Sequence, residues 1–334
     1  MTLPVLLAFL LGGSLTVYGT FAGADFGAGI LELLAGTRRT ERQSIAAAIG
    51  PVWEANHVWL IFSITMLFSA FPAAFSALGI ALLAPLTIAL LAIVLRSVAL
   101  GLRGAPGAFS RSEALLGRLF GAASLAAPFA FGASAGGIAA VSSSSRFRSG
   151  HVLHVPWSGP FALLMGGLAV AVCTHLASSF VASKLARVGE PRRAEHFRRR
   201  GLQSGACVLV LGVAGSLVAA ATASAVWHGL ASRALPLVIA GLAAQTLSLL
   251  ALARRRYLLA RGAGLLAVAT VLWGWFVIQA PRLIGPRLTI HTSAATHAAL
   301  GAVAIASGVV LLLVLPAMYL LFALFARPEL EVAE

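Results

Sequence analysis

The sequence predicts an all-α integral membrane protein with about nine transmembrane helices, and three observations lead to that prediction. Of its 334 residues, 60% are hydrophobic and only 10% are charged, whereas a soluble domain is about one quarter charged. Its apolar runs are continuous, and each is long enough for a membrane helix of roughly 20 residues. Its basic residues cluster on alternate connections between those runs. A transmembrane barrel would instead need alternating strands of about ten residues.

The nine predicted spans follow one another with short connections, so we expect one polytopic domain over residues 1–334. The first run has no basic region before it and exceeds the length of a secretory signal core, which predicts an uncleaved span. The spans cover residues 3–34, 51–71, 73–102, 119–141, 159–183, 204–227, 234–253, 262–280 and 295–325. The basic connection before the sixth span is expected to extend its helix into the headgroup layer.

The basic residues report the orientation of the chain in the membrane. The predicted spans place 18 Lys and Arg residues on one side and five on the other, and basic loops stay in the cytoplasm. The N-terminus is therefore predicted outside and the C-terminus inside, with an odd number of spans. The net charge of +14 then reflects topology and contact with anionic lipid. No nucleic-acid partner is expected, because aromatic residues are not interleaved with the basic ones.

Two carboxylates share one face of the first span. Asp25 is the only aspartate in the chain, and burying a lone carboxylate is costly unless it is paired or protonated. Glu32 lies seven residues further on and returns to nearly the same face, about 10 Å closer to the cytoplasm. Gly23 and Gly27 form a small-xxx-small pair that lets another helix approach closely.

A second polar group lies in "GPVWEANHVWLIF", at the cytoplasmic entry of the second span. Glu54 and His57 are one helical turn apart, with Trp53 on the same arc, whereas Asn56 points to the other side and is expected to bond a neighbouring helix. Burial disfavours the charges of Glu54 and His57 while their attraction favours them, so this pair can exchange a proton near neutral pH. Alternatively, Glu54 snorkels to the surface and Trp53 and Trp59 anchor the interface.

The remaining polar residues in the spans have structural interpretations. Arg96, near the end of the third span, is expected to snorkel to the surface. His175 is expected to hydrogen-bond a partner helix in preference to binding a metal or haem. Cys173 and Cys207 lie within spans and suit small buried residues, and the pair in "HVLH" of the outer loop is weak evidence for a metal site. We therefore predict no metal site.

Several motifs resemble subunit II of the cytochrome bd-type quinol oxidases. The family pattern "DGFDLGVG" resembles "AGADFGAG" at residues 22–29, and "IGPxWDGNEVWL" resembles "IGPVWEANHVWL" at residues 49–60. The patterns "LFAAFP", "RGVAFEFR" and "GWxxAQxPxL" followed by "LTI" resemble residues 67–72, 96–103 and 273–290. The resemblance spans nearly the whole chain, and its second motif is the most specific.

The resemblance implies a subunit of a quinol:oxygen oxidoreductase in the bacterial cytoplasmic membrane. It implies a heterodimer with subunit I, which carries haems b and d and connects to the quinol pool, while subunit II binds no haem directly. The implied fold is two four-helix bundles plus a peripheral helix, in agreement with the nine spans. The resemblance leaves room for a structural quinone or lipid and for small accessory single-span subunits.

The resemblance also implies a route for cytoplasmic protons through subunit II. Asp25 matches the second Asp of "DGFD", and Glu54 matches the Asp of "WDGN". The chain departs from the family where Ala22 replaces the first Asp, His57 replaces the Glu of "NEVW" and Gly101 replaces the Glu of "FEFR". The route that we predict uses Glu54, His57, Asp25 and Glu32. Helix support is predicted from Trp53, Asn56, Trp59 and Arg96.

Three alternatives differ in function class. A proton-coupled transporter would show broken helices and repeated halves around a midplane site, but the polar groups lie toward the cytoplasmic side and no repeat is evident in the sequence. A haem b membrane anchor would use His57 and His175 as axial ligands. A purely structural subunit would stabilise subunit I and conduct nothing.

Overall fold

Helices dominate the computed structural model, which describes residues 2–36, 38–103, 110–141 and 155–325. Within these ranges the side chains at 39, 47–55, 110–113 and 321–325 lie outside the description. The helices are α1 Leu3–Ala35, α2 Arg39–Ala70, α3 Pro72–Ala81, α4 Leu83–Arg103, α5 Ser110–Val141, α6 Pro160–Arg187, α7 Pro191–Thr222, α8 Ser224–Leu230, α9 Leu235–Ala253, α10 Tyr257–Gln279 and α11 His297–Phe325. The strands β1 Arg282–Ile284 and β2 Leu288–Thr289 form an antiparallel hairpin.

The number of spans agrees with the prediction. Over the described residues, eight helices are long and apolar enough to cross a membrane, and a ninth is obtained if α2 and α3 are one bent span. These findings confirm an all-α multi-pass membrane protein.

The predicted start of the third span is wrong. Residues 72–81 form the separate helix α3, bent by 116° from α2, and the spanning helix α4 begins only at Leu83. Phe71 leaves the helical conformation, with φ −132° and ψ 58°, and Pro72 opens α3 at its first turn. Proline has no N–H to donate back and suits the first turn of a new helix. Hydropathy does not detect this break, because both sides of it are apolar.

Helix α7 starts well before the predicted span, at Pro191, which confirms that the helix extends into the basic connection. Ion pairs between residues three and four positions apart stabilise the helix here. Glu195 forms salt bridges with Arg198 at 2.7 Å and with Arg199 at 3.3 Å. Such spacing brings side chains together on one helix face. The short helix α8, which follows α7, and the β1–β2 hairpin, which follows α10, were not predicted.

Helix α1 lies at the centre of the molecule and packs against α2, α5 and α6. The remaining contacts group α4 with α5, α6 with α7, and α9 with α10, while α11 packs on α2 and α1 at the periphery. The basic connections meet at one end: Glu41 of α2 approaches Arg200 of α7, and Arg198 reaches the Leu252 carbonyl of α9. This end corresponds to the predicted cytoplasmic side.

The expected close approach at Gly27 is confirmed. A Cβ atom there would collide with the Cys173 carbonyl oxygen and the Ala177 side chain on α6. At Gly23 it would meet the Leu176 side chain. The α1–α6 contact therefore depends on missing side chains, as in other closely packed membrane helices.

Candidate functional site: paired charges between the first and fourth helices

Asp25 forms a two-point ion pair with Arg96 of α4. Arg96 Nη1 donates to Asp25 Oδ2 at 2.5 Å, and Nη2 donates to Oδ1 at 2.8 Å. The Arg96 and Asp25 side chains are only 1% and 4% exposed. A guanidinium fork matches a carboxylate in this geometry and gives a strong, directional contact. The only aspartate of the chain is thus charge-balanced inside the helix bundle.

Aromatic rings complete the environment of Arg96. Its guanidinium carbon lies 4.7 Å from the Phe26 ring centroid and 5.1 Å from that of Phe120, within the range of cation–π attraction. The expectation that Arg96 snorkels to the surface is therefore wrong. A buried partner of opposite charge on α1 stabilises the arginine where it is, so the side chain does not need to reach the headgroups.

Glu32 is balanced by two arginines near the C-terminal end of α1. Its Oε1 accepts from Arg42 Nε at 2.7 Å and from Arg103 Nη1 at 2.8 Å. Arg103 also lies over the Phe120 ring, at 4.9 Å. Both α1–α4 pairs join residues 71 positions apart, as two parallel helices in register require. We call Asp25–Arg96 and Glu32–Arg103 the charge ladder; its two steps are about 10 Å apart.

The second helix contributes an amide to the ladder. Asn56 is 1% exposed, and its Nδ2 donates to Asp25 Oδ2 at 3.5 Å, which confirms the expected bond to a neighbouring helix. His57 follows it and is partly buried. The side chains of Glu54 and Trp53, one turn earlier on α2, lie outside the described residues.

Trp59 is a core residue. It is 5% exposed and makes an edge contact with Phe62 at 6.3 Å between ring centroids. The alternative in which Trp59 anchors the membrane interface is wrong, because the indole lies among helices and not at the headgroup level.

His175 joins three helices. Its Nδ1 lies 2.8 Å from the Gly201 carbonyl oxygen of α7, and its Nε2 lies 2.9 Å from Ser248 Oγ of α9. Ser248 in turn donates to the Ala260 carbonyl oxygen of α10 at 2.8 Å. The expected hydrogen bonding to partner helices is confirmed. With both ring nitrogens engaged, His175 is not arranged as a haem ligand.

The arginine partners were missed because a single helix does not reveal its neighbours. The usable signal was a matching interval: Asp25 and Glu32 are seven residues apart, and so are Arg96 and Arg103. A second missed group is Glu41, which contacts Arg38, His196 and Arg200 at the end of the molecule where the basic connections meet. Over the described residues no set of three or more His, Cys, Asp or Glu side chains could hold a metal ion.

These observations define a class: a multi-pass bacterial membrane protein whose central helix carries buried, arginine-balanced carboxylates. The chain belongs to the cytochrome bd terminal oxidase subunit II family, whose model matches residues 3–325. The match to the family model therefore covers nearly the whole chain, as the motifs of the first, second and eighth spans indicated.

Individual relatives agree with this assignment. The chain is 38% identical over 82 residues to cytochrome bd ubiquinol oxidase subunit 2 of Bacillus subtilis, covering 25% of this chain and 24% of that protein. It is 37% identical over 68 residues to cytochrome bd-I ubiquinol oxidase subunit 2 of Escherichia coli, covering 20% and 18%. The chain thus matches about a quarter or less of these relatives' lengths. In fold it is similar to a chain of the bd oxidase from Geobacillus thermodenitrificans, with TM-score 0.75, 19% identity, and 97% and 99% of the two chains covered.

Proposed function

We propose that this chain is the haem-free second subunit of a terminal oxidase that uses quinol electrons to reduce oxygen to water. The family match over residues 3–325 carries this proposal. The haems b and d and the quinol site are assigned to a partner subunit I, in keeping with the engaged ring nitrogens of His175. Chemistry on the haems belongs to that partner. This chain supplies a helical scaffold and, we propose, a path for protons.

The charge ladder has a structural role in this proposal. Both Asp25 oxygens accept from Arg96, and Oδ2 also accepts from Asn56. Contacts between a carboxylate and a guanidinium are strong, charge-assisted hydrogen bonds. Glu32 accepts from Arg42 and Arg103 through one oxygen, Oε1. These carboxylates act as fixed charges that line the proton path, and they hold α1, α2 and α4 together.

The proton-carrying step is assigned to Glu54 and His57 on the cytoplasmic side of α2. His57 is next to Asn56, which contacts the deeper step of the ladder, so protons entering here would be close to the ionic pair of Asp25 and Arg96. Protons taken from the cytoplasm let the reaction build a membrane potential. An imidazole next to a carboxylate can pass a proton at neutral pH without a large change in charge.

The test is oxygen consumption by the assembled complex with quinol as donor. Glu54→Gln should slow turnover by about 100-fold or more, the lower end of the range for losing a proton-transfer group, with unchanged haem content per complex. Glu54→Asp is the matched control and should retain most of the activity. Unchanged turnover of Glu54→Gln from pH 6 to 8 would remove Glu54 from the route and favour the purely structural subunit.

The haem-free assignment has a separate test. The chain purified without its partner should show no Soret band. A Soret band that disappears in His57→Leu or His175→Leu would instead support the membrane-anchor alternative.

A further inference from the structure

An open crevice lies between α6 and α10 at the cytoplasmic end of the molecule. Its volume is about 410 Å³. It is lined by Ser183, Arg187, Arg256, Tyr257, Leu258 and Leu259, among others. Arg187 is the last residue of α6, and Arg256 immediately precedes α10. The crevice therefore brings two cations together from segments that are distant in sequence.

These arginines have no internal counter-charge in the described part of the chain. Glu32, Glu41 and Glu195 each contact two or more other arginines. None of the salt bridges among described residues involves Arg187 or Arg256. Positive charge thus accumulates beside an open cavity, whereas Arg198, Arg200 and Arg255 at the same end each contact a glutamate.

A third cation increases this excess. Arg261 lies one turn into α10, where its guanidinium carbon is 4.4 Å from the Phe180 ring centroid of α6. No described salt bridge involves Arg261 either. We call the cavity lined by Arg187 and Arg256 the basic crevice; Arg261 adds positive charge near it. Like charges held together favour binding of an external anion.

The rim of the basic crevice is apolar. Leu258 and Leu259 are 58% and 43% exposed, and they stand beside Arg256 at the start of a membrane helix. The first backbone N–H groups of α10 have no intrahelical acceptors, and no side chain caps them. The ligand that suits this combination has an anionic phosphate head and an apolar tail. Basic pockets between membrane helices on the cytoplasmic side bind such lipids.

We propose that the basic crevice binds the phosphate head of an anionic phospholipid from the inner leaflet. The arginines hold the phosphate, and the exposed leucines contact the first part of the acyl chain. This site would attach the α6–α10 edge of the protein to the membrane surface, and it is independent of the proton path on α2.

The experiment uses the complete complex in neutral detergent and counts bound lipid by native mass spectrometry. Wild-type complex should bind phosphatidylglycerol in preference to phosphatidylcholine. The double variant Arg187→Gln/Arg256→Gln should bind phosphatidylglycerol about 30-fold more weakly, at the contribution typical of two arginines near a membrane surface. Arg254→Gln is the matched control, because Arg254 is exposed on the same connection but does not line the crevice. It should bind within about twofold of wild type.

Two further arms make the result decisive. Arg187→Lys/Arg256→Lys keeps the charges and should retain selective binding, which separates loss of the site from loss of folding. Inorganic phosphate at millimolar concentration should not displace the lipid, because it lacks the apolar tail. Equal weakening by Arg254→Gln, or retention of lipid by the double Gln variant, would overturn the proposal. Displacement by phosphate would instead identify a site for soluble anions and overturn the lipid assignment.

Discussion

Removing Arg96 alone should destabilise the protein much more than removing Arg96 and Asp25 together. In Arg96→Met the Asp25 carboxylate stays buried, with the 3.5 Å contact to Asn56 as its one remaining described side-chain hydrogen bond. Unit charges about 4 Å apart attract by about 4 kcal/mol at an effective dielectric constant near 20. Loss of one member of a buried pair costs about 3–5 kcal/mol. We therefore expect Arg96→Met to lower the free energy of unfolding by about 3–5 kcal/mol.

The double variant Asp25→Leu/Arg96→Met removes both charges and their desolvation cost. Replacing a buried pair by apolar side chains is often neutral or stabilising, so the double variant should lie within about 1.5 kcal/mol of wild type, the range for volume-conserving apolar replacements. The measurement is unfolding of the purified complex in mixed micelles, analysed as a double-mutant cycle. Arg118→Met, on the exposed cytoplasmic part of α5, is a control expected to change stability by less than about 0.5 kcal/mol. Additive losses in the double variant would refute the reasoning.

Three further predictions follow from the packing. Gly27→Ala should lower the free energy of unfolding by about 1–3 kcal/mol through overpacking against α6. Gly13 has open space around it, so Gly13→Ala should be neutral in the same assay. Equal effects of the two variants would contradict the close approach of α1 and α6 at Gly27. Glu32→Gln should lower the free energy of unfolding by about 1.5–3 kcal/mol, as for lost hydrogen bonds to charged groups. It should also raise the rate of amide hydrogen exchange at the C-terminal end of α4. Unchanged exchange would show that the Glu32–Arg103 pair does not order this end. His175→Phe should lower the free energy of unfolding by about 1–3 kcal/mol, because it leaves buried polar groups unpaired. Ser248→Ala should lower it by less. A His175→Phe variant more stable than wild type would exclude a structural role for the His175 hydrogen bonds.

Hydropathy identified the spans because each membrane helix satisfies its backbone hydrogen bonds within itself, whatever its neighbours are. The same reasoning could not locate the break at Pro72. A proline at the first turn of a helix and one in the middle of a longer helix look alike until the preceding residue's conformation is known. The apolar character of residues 72–81 fits a span and a short tilted helix equally well.

The burial of Asp25 could be predicted from the sequence, but the identity of its partner could not. Sequence reasoning established that a lone carboxylate at this depth needs a counter-charge or a proton. It also placed Glu32 on the same face. Choosing Arg96 required the register of α1 against α4, which depends on packing of both helices with α5 and is not encoded in either helix alone. The equal interval between the two arginines becomes informative only once that register is considered.

The charge ladder separates two roles that the sequence had combined. Both oxygens of Asp25 are bound by one guanidinium, so this carboxylate suits the joining of helices better than the transfer of protons. Breaking the pair for proton transfer would cost several kcal/mol at each turnover. A side chain that exchanges protons at neutral pH needs a weaker, more balanced environment. Variants of Asp25 should therefore reduce the yield of assembled complex while the surviving complexes keep their oxygen turnover. Variants of Glu54 should do the reverse, so yield and turnover measured on the same preparations distinguish the helix-joining carboxylate from the proposed proton carrier.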